Sequence, residues 1–488
     1  MKLRWKREII MVDFNIMPLI PELFLVLTAM GFLIVGAYQG NRACSVLSWS
    51  ACISLFIAAA LLMRTPWDTG PAFGGMFVLD QFAGFMKLMI LIGLSFSTAL
   101  SVQYLHQERI ARFEYPVLVL IAGVGMMMMV SANNLLSLYM ALELQSLSLY
   151  ILAAFYRSSS RSAEAAIKYF ILGALSSGML LFGISLIYGF TGTLDFKAIQ
   201  DAVSGMENIP AGFTVGMVFV LAALAFKISA VPFHMWTPDV YQGAPTSVTA
   251  LFAIVPKIAA IGLIMRLLFV TFGPAQDQWI QVLYLVSLGS MFLGAFAALA
   301  QNNIKRLMAY SSIGNMGYAL IGLIAGTSQG AGSVVVFLLI YLFMTAGVFA
   351  VILYMRRGGL ATENINDLAG LSKNNPVIAY AMAALMFSMS GIPPAAGFFG
   401  KLFIFQAAVS SGLYILAVLG VLSSVVAAYY YLRIIKVMFF EEPAETFDDN
   451  MSFERRAVLA ISIIFILGFA FEPNAVYDSA MNAVTSLF

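Results

Sequence analysis

The chain has 488 residues, of which 61% are hydrophobic and only 10% are charged, with a mean hydropathy of +0.92. A soluble surface carries a much larger charged fraction, so this composition indicates an integral membrane protein. The near balance of 26 basic and 24 acidic residues lacks the excess of positive charge that a nucleic-acid partner requires, and no such partner is expected.

Apolar windows of about twenty residues, each long enough to cross a hydrocarbon layer of ~30 Å, recur along the whole chain. The period-2 alternation of a membrane barrel is absent, and unpaired backbone groups cannot face lipid, so these windows are predicted to be helices. The predicted fold class is an all-α integral membrane protein with about 14 transmembrane helices. The predicted spans are 16–38, 43–63, 79–102, 113–131, 134–156, 164–190, 212–231, 246–270, 278–300, 303–325, 330–356, 377–406, 411–437 and 455–471.

Positive charge is concentrated in the odd-numbered connections between the predicted spans. Because Lys and Arg are retained on the cytoplasmic side, these connections are predicted to be cytoplasmic and both termini periplasmic. The basic leader, with Lys2, Arg4, Lys6 and Arg7, contradicts this orientation: either Met11 is the true start, or the downstream charges override the leader. The residues that set the orientation are Arg42, Arg109, Arg112, Arg157, Arg161, Lys305, Arg306, Arg356, Arg357, Lys373, Arg455 and Arg456.

A short motif occurs twice, at Phe226–Pro232 in span seven and at Phe387–Pro393 in span twelve, with the shared pattern F-x-x-S-small-branched-P. Five spans separate the copies, and an odd offset makes them run in opposite directions through the membrane. This pattern predicts two inverted-topology repeats containing discontinuous helices, interrupted at proline. The predicted division is 1–112 (helices 1–3), 113–270 (first repeat, helices 4–8), 278–437 (second repeat, helices 9–13) and 438–488 (helix 14).

Most charged residues lie at the ends of predicted spans or in loops, but four lie deeper in spans, namely Glu143, Lys227, Lys257 and Lys401. Each charge at membrane depth costs about 2.5–3.5 kcal/mol, so these side chains must face a protein interior, water or one another. One interpretation is a proton relay, in which Glu143 and Lys227 form a switchable ion pair, Lys257 connects laterally and Lys401 is the far terminus. The alternative is a set of structural ion pairs between helices.

Other polar residues in the spans allow more than one interpretation. Lys168 lies within about a turn of its predicted helix start and either joins the relay or extends to the membrane surface. His234 follows the break and either relays protons or binds freed carbonyl groups. Lys87 is expected to pair locally with Asp80, and Glu22 is interpreted as a helix-end residue. Several hydroxyl groups could carry proton wires or simply join helices, namely Ser146, Tyr150, Ser311, Ser312 and Tyr318.

No cofactor-binding motif is found. The chain lacks a phosphate-cradling loop, a dinucleotide-binding unit, a CxxC cluster and a haem-type histidine pair. Cys44 and Cys52 fit neither a disulfide framework nor a metal site and are interpreted as small apolar helix residues. The energy for any transport is therefore expected to come from an ion gradient or from a partner.

The stretch AFKISAVPFHMWTPDVYQGAP, Ala225–Pro245, resembles the span-seven signature of the proton-translocating, antiporter-like membrane subunits of respiratory complex I. Its ending, WTPDVYQGAP, is similar to the subunit N group, whereas sister subunits and Mrp-type cation antiporters typically have W-L-P-D-A-H-x-x-A-P-T there. The resemblance covers nearly the whole chain and includes ALELQSLSLY, IKYFILGALSSG and SGIPPAAGFFGK.

The resemblance implies roles by matching position. Glu143 corresponds to the span-five glutamate of the family, Lys227 to its lysine partner, Lys257 to the connecting lysine and Lys401 to the span-twelve lysine. It also implies that this chain has no redox centre and that FMN, iron–sulfur clusters and quinone are held by partner subunits. The implied function is proton translocation coupled to NADH–quinone electron transfer.

The implied surroundings follow from the same resemblance. The expected partners are other complex I subunits and the lipid bilayer. The expected location is the bacterial inner membrane, or the mitochondrial inner membrane for an organellar chain. A stand-alone Mrp-type cation/proton antiporter subunit is the alternative.

Overall fold

The computed structural model describes residues 15–448 and 451–488. The basic leader and Met11 lie outside these residues. The described residues are almost entirely helical, with two short antiparallel hairpins, β1 (Pro71–Ala72) with β2 (Phe77–Val78) and β3 (Arg356–Arg357) with β4 (Leu360–Ala361). The α-helices are α1 (Ile20–Gln39), α2 (Cys44–Arg64), α3 (Gln81–Gln107), α4 (Glu114–Val130), α5 (Leu135–Ala153), α6 (Ser160–Thr191), α7 (Phe196–Ser204), α8 (Ala211–Lys227), α9 (Trp236–Gly243), α10 (Thr246–Arg266), α11 (Gln276–Leu299), α12 (Ile304–Ile324), α13 (Ser328–Tyr354), α14 (Leu371–Asn374), α15 (Pro376–Ser390), α16 (Ala396–Ser410), α17 (Tyr414–Phe440), α18 (Phe453–Gly468) and α19 (Pro473–Val484).

The helices confirm the predicted all-α integral membrane class. In the described part of the chain, nine helical segments are long and apolar enough to cross a membrane, and the bent pair α18–α19 is a tenth candidate. One of the nine, Met17–Arg64, contains both α1 and α2. The shorter apolar helices α4, α8, α15 and α16 coincide with further predicted spans. The exact count of 14 spans stays a prediction.

The centre of the molecule is formed by α10, α12 and α13. In their most apolar windows, 100%, 94% and 94% of the residues are buried inside the protein. A helix that is apolar on all sides packs in an interior, so these three helices are surrounded by other helices and not by lipid. Any charged or hydroxyl side chain on them is consequently held away from the surrounding membrane.

Both predicted helix breaks are present. Helix α8 ends at Lys227, and non-helical residues lead to α9; helix α15 ends at Ser390, and Gly391–Ala395 lead to α16. The backbone turns through left-handed conformations at Ser229 (φ 64°) and Gly391 (φ 84°). The proline-based prediction of discontinuous helices is therefore confirmed at both positions. The opposite direction of the two copies and the four-part division of the chain stay predictions.

Several elements were not foreseen from the sequence, among them both hairpins, the short helices α7, α9 and α14, and α19. Helix α7 lies in the connection between spans six and seven, where only a loop was expected. At the C-terminus, α18 and α19 meet at an angle of 96°, and α19 packs on α3 and α13. Pro473 occupies the first turn of α19, a position that proline favours because its missing amide is not needed there.

Candidate proton-relay site

Glu143 and Lys227 are held by different hydroxyl groups. The Lys227 ammonium, at the end of α8, donates to Ser146 Oγ at 2.8 Å and to Tyr150 OH at 3.4 Å. Glu143, near the middle of α5, accepts a hydrogen bond from Ser177 of α6. Within the described residues, Glu143 and Lys227 form no direct ion pair. The predicted ion pair between them is therefore not formed in this structure. Ser146, which accepts a hydrogen bond from Lys227, lies one helical turn from Glu143 on α5.

The break after Lys227 is stabilised by side chains. The indole of Trp236 donates to the Phe226 carbonyl at 3.0 Å, and the Val231 amide donates to Ser290 Oγ at 2.9 Å. Both backbone groups would lack a partner if the helix simply stopped, and an unpaired buried polar group costs about 1–3 kcal/mol. The tryptophan of the WTPDVYQGAP stretch thus folds back onto the helix end that carries Lys227.

Lys257 lies on the buried helix α10 and contacts hydroxyl groups. Its ammonium donates to Ser312 Oγ of α12, which shares a hydrogen bond of 2.6 Å with Tyr341 OH of α13. Tyr341 in turn donates to the Ala253 carbonyl at 3.0 Å. The ring centroid of Tyr241 lies 5.6 Å from the ammonium nitrogen. In the described part of the chain, Lys257 has no carboxylate partner.

Lys401, on α16, contacts the end of the helix that precedes it. Its ammonium donates to the Met389 and Ser390 carbonyls, each at 3.2 Å, and to Ser424 Oγ at 2.8 Å. The two carbonyls belong to the last turn of α15 and lack intrahelical partners, so they present the negative end of the helix dipole to the lysine. The ring of Tyr318 lies 5.0 Å from the ammonium nitrogen. The second helix break therefore supplies the acceptors for Lys401.

Helix α12 carries a row of polar groups between Lys257 and Lys401. Next to Ser312, which binds Lys257, Ser311 shares a hydrogen bond of 2.6 Å with Tyr431 OH. Asn315 donates to the Ser311 carbonyl at 2.9 Å. One small interior space is lined by side chains of this row and by the far lysine, among them Ser311, Asn315, Tyr318, Tyr431 and Lys401. Asn315, Tyr341 of α13 and Tyr431 of α17 were not predicted from the sequence, because contacts between different helices decide which polar groups face one another.

An aromatic layer separates the Lys227 cluster from the Lys257 cluster. Tyr150 packs edge-on against Tyr169 at a centroid distance of 4.7 Å, and Tyr169 stacks on Trp236 at 4.4 Å. Trp236 contacts Tyr241 at 6.4 Å, and Tyr241 lies over Lys257. The three lysines thus lie along one buried line of polar and aromatic side chains, with exposures of 5% for Lys227, 1% for Lys257 and 7% for Lys401.

The region that contains all four charges also carries a family signature. Residues 132–427 match the family model for the transmembrane region of NADH:quinone oxidoreductase and Mrp antiporters. The chain belongs to this NADH:quinone oxidoreductase/Mrp antiporter family. The match includes both helix breaks and every lysine of the buried line.

Curated relatives place the chain in one branch of the family. It is 50% identical to NADH-quinone oxidoreductase subunit N of Paramagnetospirillum magneticum over 478 residues, which cover 97% of this chain and 98% of the relative. It is 53% identical to subunit N of Parvibaculum lavamentivorans over 471 residues, with 96% and 97% covered. The subunit N resemblance seen in the WTPDVYQGAP stretch is confirmed.

Solved structures of the family show the same fold. A chain of respiratory complex I from Thermus thermophilus with bound aureothin superposes with a TM-score of 0.80 at 32% identity, covering 94% of this chain and 98% of that chain. A chain of the Mrp complex from Dietzia sp. superposes with a TM-score of 0.83 at 23% identity, covering 96% and 97%. Because the chain of the Mrp complex is only 23% identical, its similarity shows the fold alone.

Lys168 lies apart from the buried line of this family member. Its side chain is 41% exposed and pairs with Asp239 and Glu164, both at 2.7 Å. Arg306 binds the other carboxylate oxygen of Asp239 at 2.7 Å. Partial burial works in the opposite direction, but the hydrogen bonds from Lys168 and Arg306 lower the pKa of Asp239 below its ordinary value. This geometry favours the surface alternative for Lys168.

His234 lies in the break that the family signature contains. The residue is partly buried beside Pro232, and its backbone carbonyl accepts a hydrogen bond of 2.9 Å from the Thr237 amide. Its Nδ1 atom has no hydrogen-bond partner within the described residues. Both predicted roles of His234, relay and carbonyl partner, stay predictions.

A second set of buried charges lies among α1, α3 and α10. The Lys87 ammonium pairs with Glu22 at 2.6 Å, and these side chains are 0% and 2% exposed. Asp80 caps α3 by accepting from Ala83 and binds Arg266 through both carboxylate oxygens, at 2.8 and 2.9 Å. The expected local pair of Lys87 with Asp80 is therefore wrong, because a bidentate arginine from α10 occupies the carboxylate.

The remaining chemistry-bearing side chains form no metal site in the described ranges 15–448 and 451–488. No group of three or more His, Cys, Asp and Glu is arranged to hold a metal ion there. Cys44 and Cys52 are free and buried, as their interpretation as apolar helix residues predicts.

Proposed function

We propose that this chain is the antiporter-like, proton-translocating subunit N of an NADH-quinone oxidoreductase and that its relay consists of Glu143, Lys227, Lys257 and Lys401. It is a membrane-arm component of complex I, and other complex I subunits are its partners. NADH oxidation and quinone reduction occur in those partners and provide the energy. The fold and the family support this assignment, and the buried lysines support the relay.

The observation that supports the relay is the kind of group that each buried lysine contacts. Lys227, Lys257 and Lys401 each contact neutral hydroxyl or carbonyl groups, and none is closed in an ion pair within the described residues. A lysine that only joined helices would be expected to bind a carboxylate, because an uncompensated buried charge is costly. Hydroxyl groups accept and donate protons, so they suit a lysine that changes its charge.

The proposed step at the first lysine is a change of partner at Glu143. When Glu143 moves from Ser177 towards Lys227, its negative charge stabilises the ammonium form. When it moves back, the ammonium is left with Ser146 and Tyr150 and releases its proton more readily. A charge movement in a neighbouring subunit that displaces Glu143 would thereby drive proton transfer.

The later steps use the hydroxyl groups on α12 and the end of α15. A proton that arrives at Lys257 meets Ser312 and Tyr341, which are already hydrogen-bonded to each other. Lys401 receives it beyond the row of polar groups on α12 and is held by the carbonyls of the broken helix. Lys168, whose side chain is exposed and paired with two carboxylates, is assigned to the surroundings of this path. The role of His234, relay or carbonyl partner, stays a prediction.

The proposal also includes the membrane in which the chain lies, its orientation and the cofactors of its partners. The chain is embedded in a membrane, and we assign it to the bacterial inner membrane with both termini on the periplasmic side, following its arginine and lysine distribution. FMN, iron–sulfur clusters and quinone are assigned to partner subunits.

A stand-alone Mrp-type antiporter is the competing assignment. The chain of the Mrp complex from Dietzia sp. shares the fold at 23% identity, whereas the subunit N relatives are 50% and 53% identical over nearly the whole chain. Native electrophoresis of gently solubilised membranes separates the two assignments. The account predicts that the chain migrates with NADH dehydrogenase activity; migration apart from that activity contradicts it.

A further inference from the structure

A groove of about 740 Å³ lies on the outside of the molecule between α15 and α18. Its walls are apolar and face outwards, with Val377 77% exposed and Tyr380 66% exposed on α15, and Ile464 71% exposed on α18. The groove contains none of the relay residues. Because the groove lies between two outer helices, it opens sideways, towards the lipid or protein that surrounds this chain in the membrane.

Polar groups lie at only one end of this groove. Arg456, in the first turn of α18, is exposed and has neither an ion pair nor a side-chain hydrogen bond within the described residues. Asn375, which precedes α15, lies at the same end and donates to Tyr354 OH at 3.2 Å. From there the lining is apolar as far as Leu467. Within the described residues, the groove therefore combines one positive charge that has no side-chain partner with a lining that is otherwise mostly apolar.

The length of the groove corresponds to one leaflet of a bilayer. From Arg456 to Leu467 a helix rises by about 16 Å, at 1.5 Å per residue. This distance is about half of the ~30 Å hydrocarbon thickness of a bilayer. The groove lining includes Tyr354, which ends α13 two residues before Arg356. The charged end therefore lies on the side that the charge distribution predicts to be cytoplasmic.

We propose that this groove binds an anionic glycerophospholipid of the cytoplasmic leaflet, with its phosphate on Arg456 and one acyl chain between α15 and α18. An arginine fork pairs well with phosphate, and basic residues at the cytoplasmic end of a cleft between transmembrane helices favour anionic headgroups. A zwitterionic lipid would fill the apolar channel but would bring its own positive charge next to the arginine. The lipid contact is independent of the relay.

The experiment uses the purified complex and phosphatidylglycerol that carries a photoreactive diazirine in one acyl chain. After illumination, labelled peptides of this subunit are located by mass spectrometry, with unlabelled phosphatidylglycerol or phosphatidylcholine as competitor. The variants are Arg456→Gln, which removes the charge, Arg456→Lys, which keeps it, and Ala460→Trp, which fills the groove. Lys373→Gln removes an exposed charge on the same side and is the matched control, since Lys373 does not line the groove.

The expected result is labelling of the α15 and α18 segments that phosphatidylglycerol suppresses and phosphatidylcholine does not. Labelling should fall by about tenfold in Arg456→Gln, because the charge-assisted contact is lost, and stay near the original level in Arg456→Lys and Lys373→Gln. Equal labelling of Arg456→Gln, or equal competition by phosphatidylcholine, overturns the proposal. So does absence of label from this groove, the result expected if another subunit covers it. Should Ala460→Trp fail to assemble, the two Arg456 variants still decide.

Discussion

At the scale of single residues, the Glu22–Lys87 pair is the most completely buried charge pair of the described structure. Its side chains are 2% and 0% exposed, and the ammonium also lies 4.5 Å from the Phe77 ring centroid. A buried ion pair is weak evidence for net stability, but loss of one partner leaves the other charged and unpaired. The buried charge of each residue is therefore compensated only while the other residue is present.

Replacement of Lys87 with Met is expected to destabilise the subunit by about 3–5 kcal/mol, because Glu22 is left without a partner. The double variant Glu22→Gln with Lys87→Met should recover most of this loss. The measurement is the thermal midpoint of the purified complex. Lys197→Met, which breaks an exposed pair with Asp201, is the control and should change little. A double variant as unstable as the single one contradicts this explanation.

The sequence could identify charged residues at membrane depth but not their partners. Lys227, Lys257 and Lys401 were predicted because a lysine in an apolar window is conspicuous. The partner of Lys87 lies 65 residues earlier on another helix, and that of Asp80 lies 186 residues later. Such pairs depend on how helices pack, and helical spacing within one segment does not reveal them. Local spacing therefore favoured the wrong partner for Lys87.

At the scale of elements, Lys305 and Arg306 at the start of α12 join this helix to α9. Lys305, whose side chain is 2% exposed, donates to the Gln242 carbonyl at 3.1 Å and to the Ala244 carbonyl at 2.8 Å. It also pairs with Glu363 at 3.0 Å. The carbonyls are those that end α9, so the lysine stabilises the C-terminal end of this short helix. Through Glu363, the connection 356–375 thereby helps to fix α9, the helix that follows the first break.

Acid pH is expected to loosen this joint. Burial works in the opposite direction, but the positive charge of Lys305 and hydrogen bonds from Asn303 and Lys305 lower the pKa of Glu363 from its ordinary value of 4.5. A group with a lowered folded-state pKa contributes stability above its ordinary pKa and loses it as the pH falls through the folded-state pKa. The joint should therefore be intact throughout pH 5–8.

The variant Glu363→Gln tests this joint by amide hydrogen exchange of residues 236–243 in the purified complex. Exchange should be several-fold faster than in the unmodified chain, by a factor that does not change between pH 5 and 8. Glu207→Gln, an exposed acid-to-amide change, is the control. Exchange that is identical in Glu363→Gln and the unmodified chain would show that Glu363 does not hold α9.

The elements divide into those that local sequence determines and those that packing determines. Prolines marked both helix breaks, because a missing amide removes a backbone hydrogen bond from the helix interior. Proline alone does not decide the outcome, since Pro256 lies inside α10 without ending it. The bend of 96° between α18 and α19 was not foreseen, since α19 owes its position to contacts with α3 and α13. Likewise, the sequence predicted a break after Lys227 but not that Trp236 would satisfy it.

At the scale of the whole molecule, the fold places a polar line inside a membrane protein. Helices α10, α12 and α13 form the interior and carry Lys257, Ser312 and Tyr341, and the two broken helices bring Lys227 and Lys401 to either side. Lipid is excluded from all five side chains by the surrounding helices. This arrangement is what a proton path parallel to the membrane requires.

The central claim is that proton translocation depends on the buried lysines, and NADH-driven proton uptake by inverted membrane vesicles tests it most directly. Lys227→Ala, with assembly checked by native electrophoresis, is expected to lower proton uptake by about tenfold or more, equivalent to about 1.4 kcal/mol or more. The exposed Lys197→Ala is the control and should pump normally. Fully assembled Lys227→Ala complexes that take up protons at the unmodified rate would contradict the account.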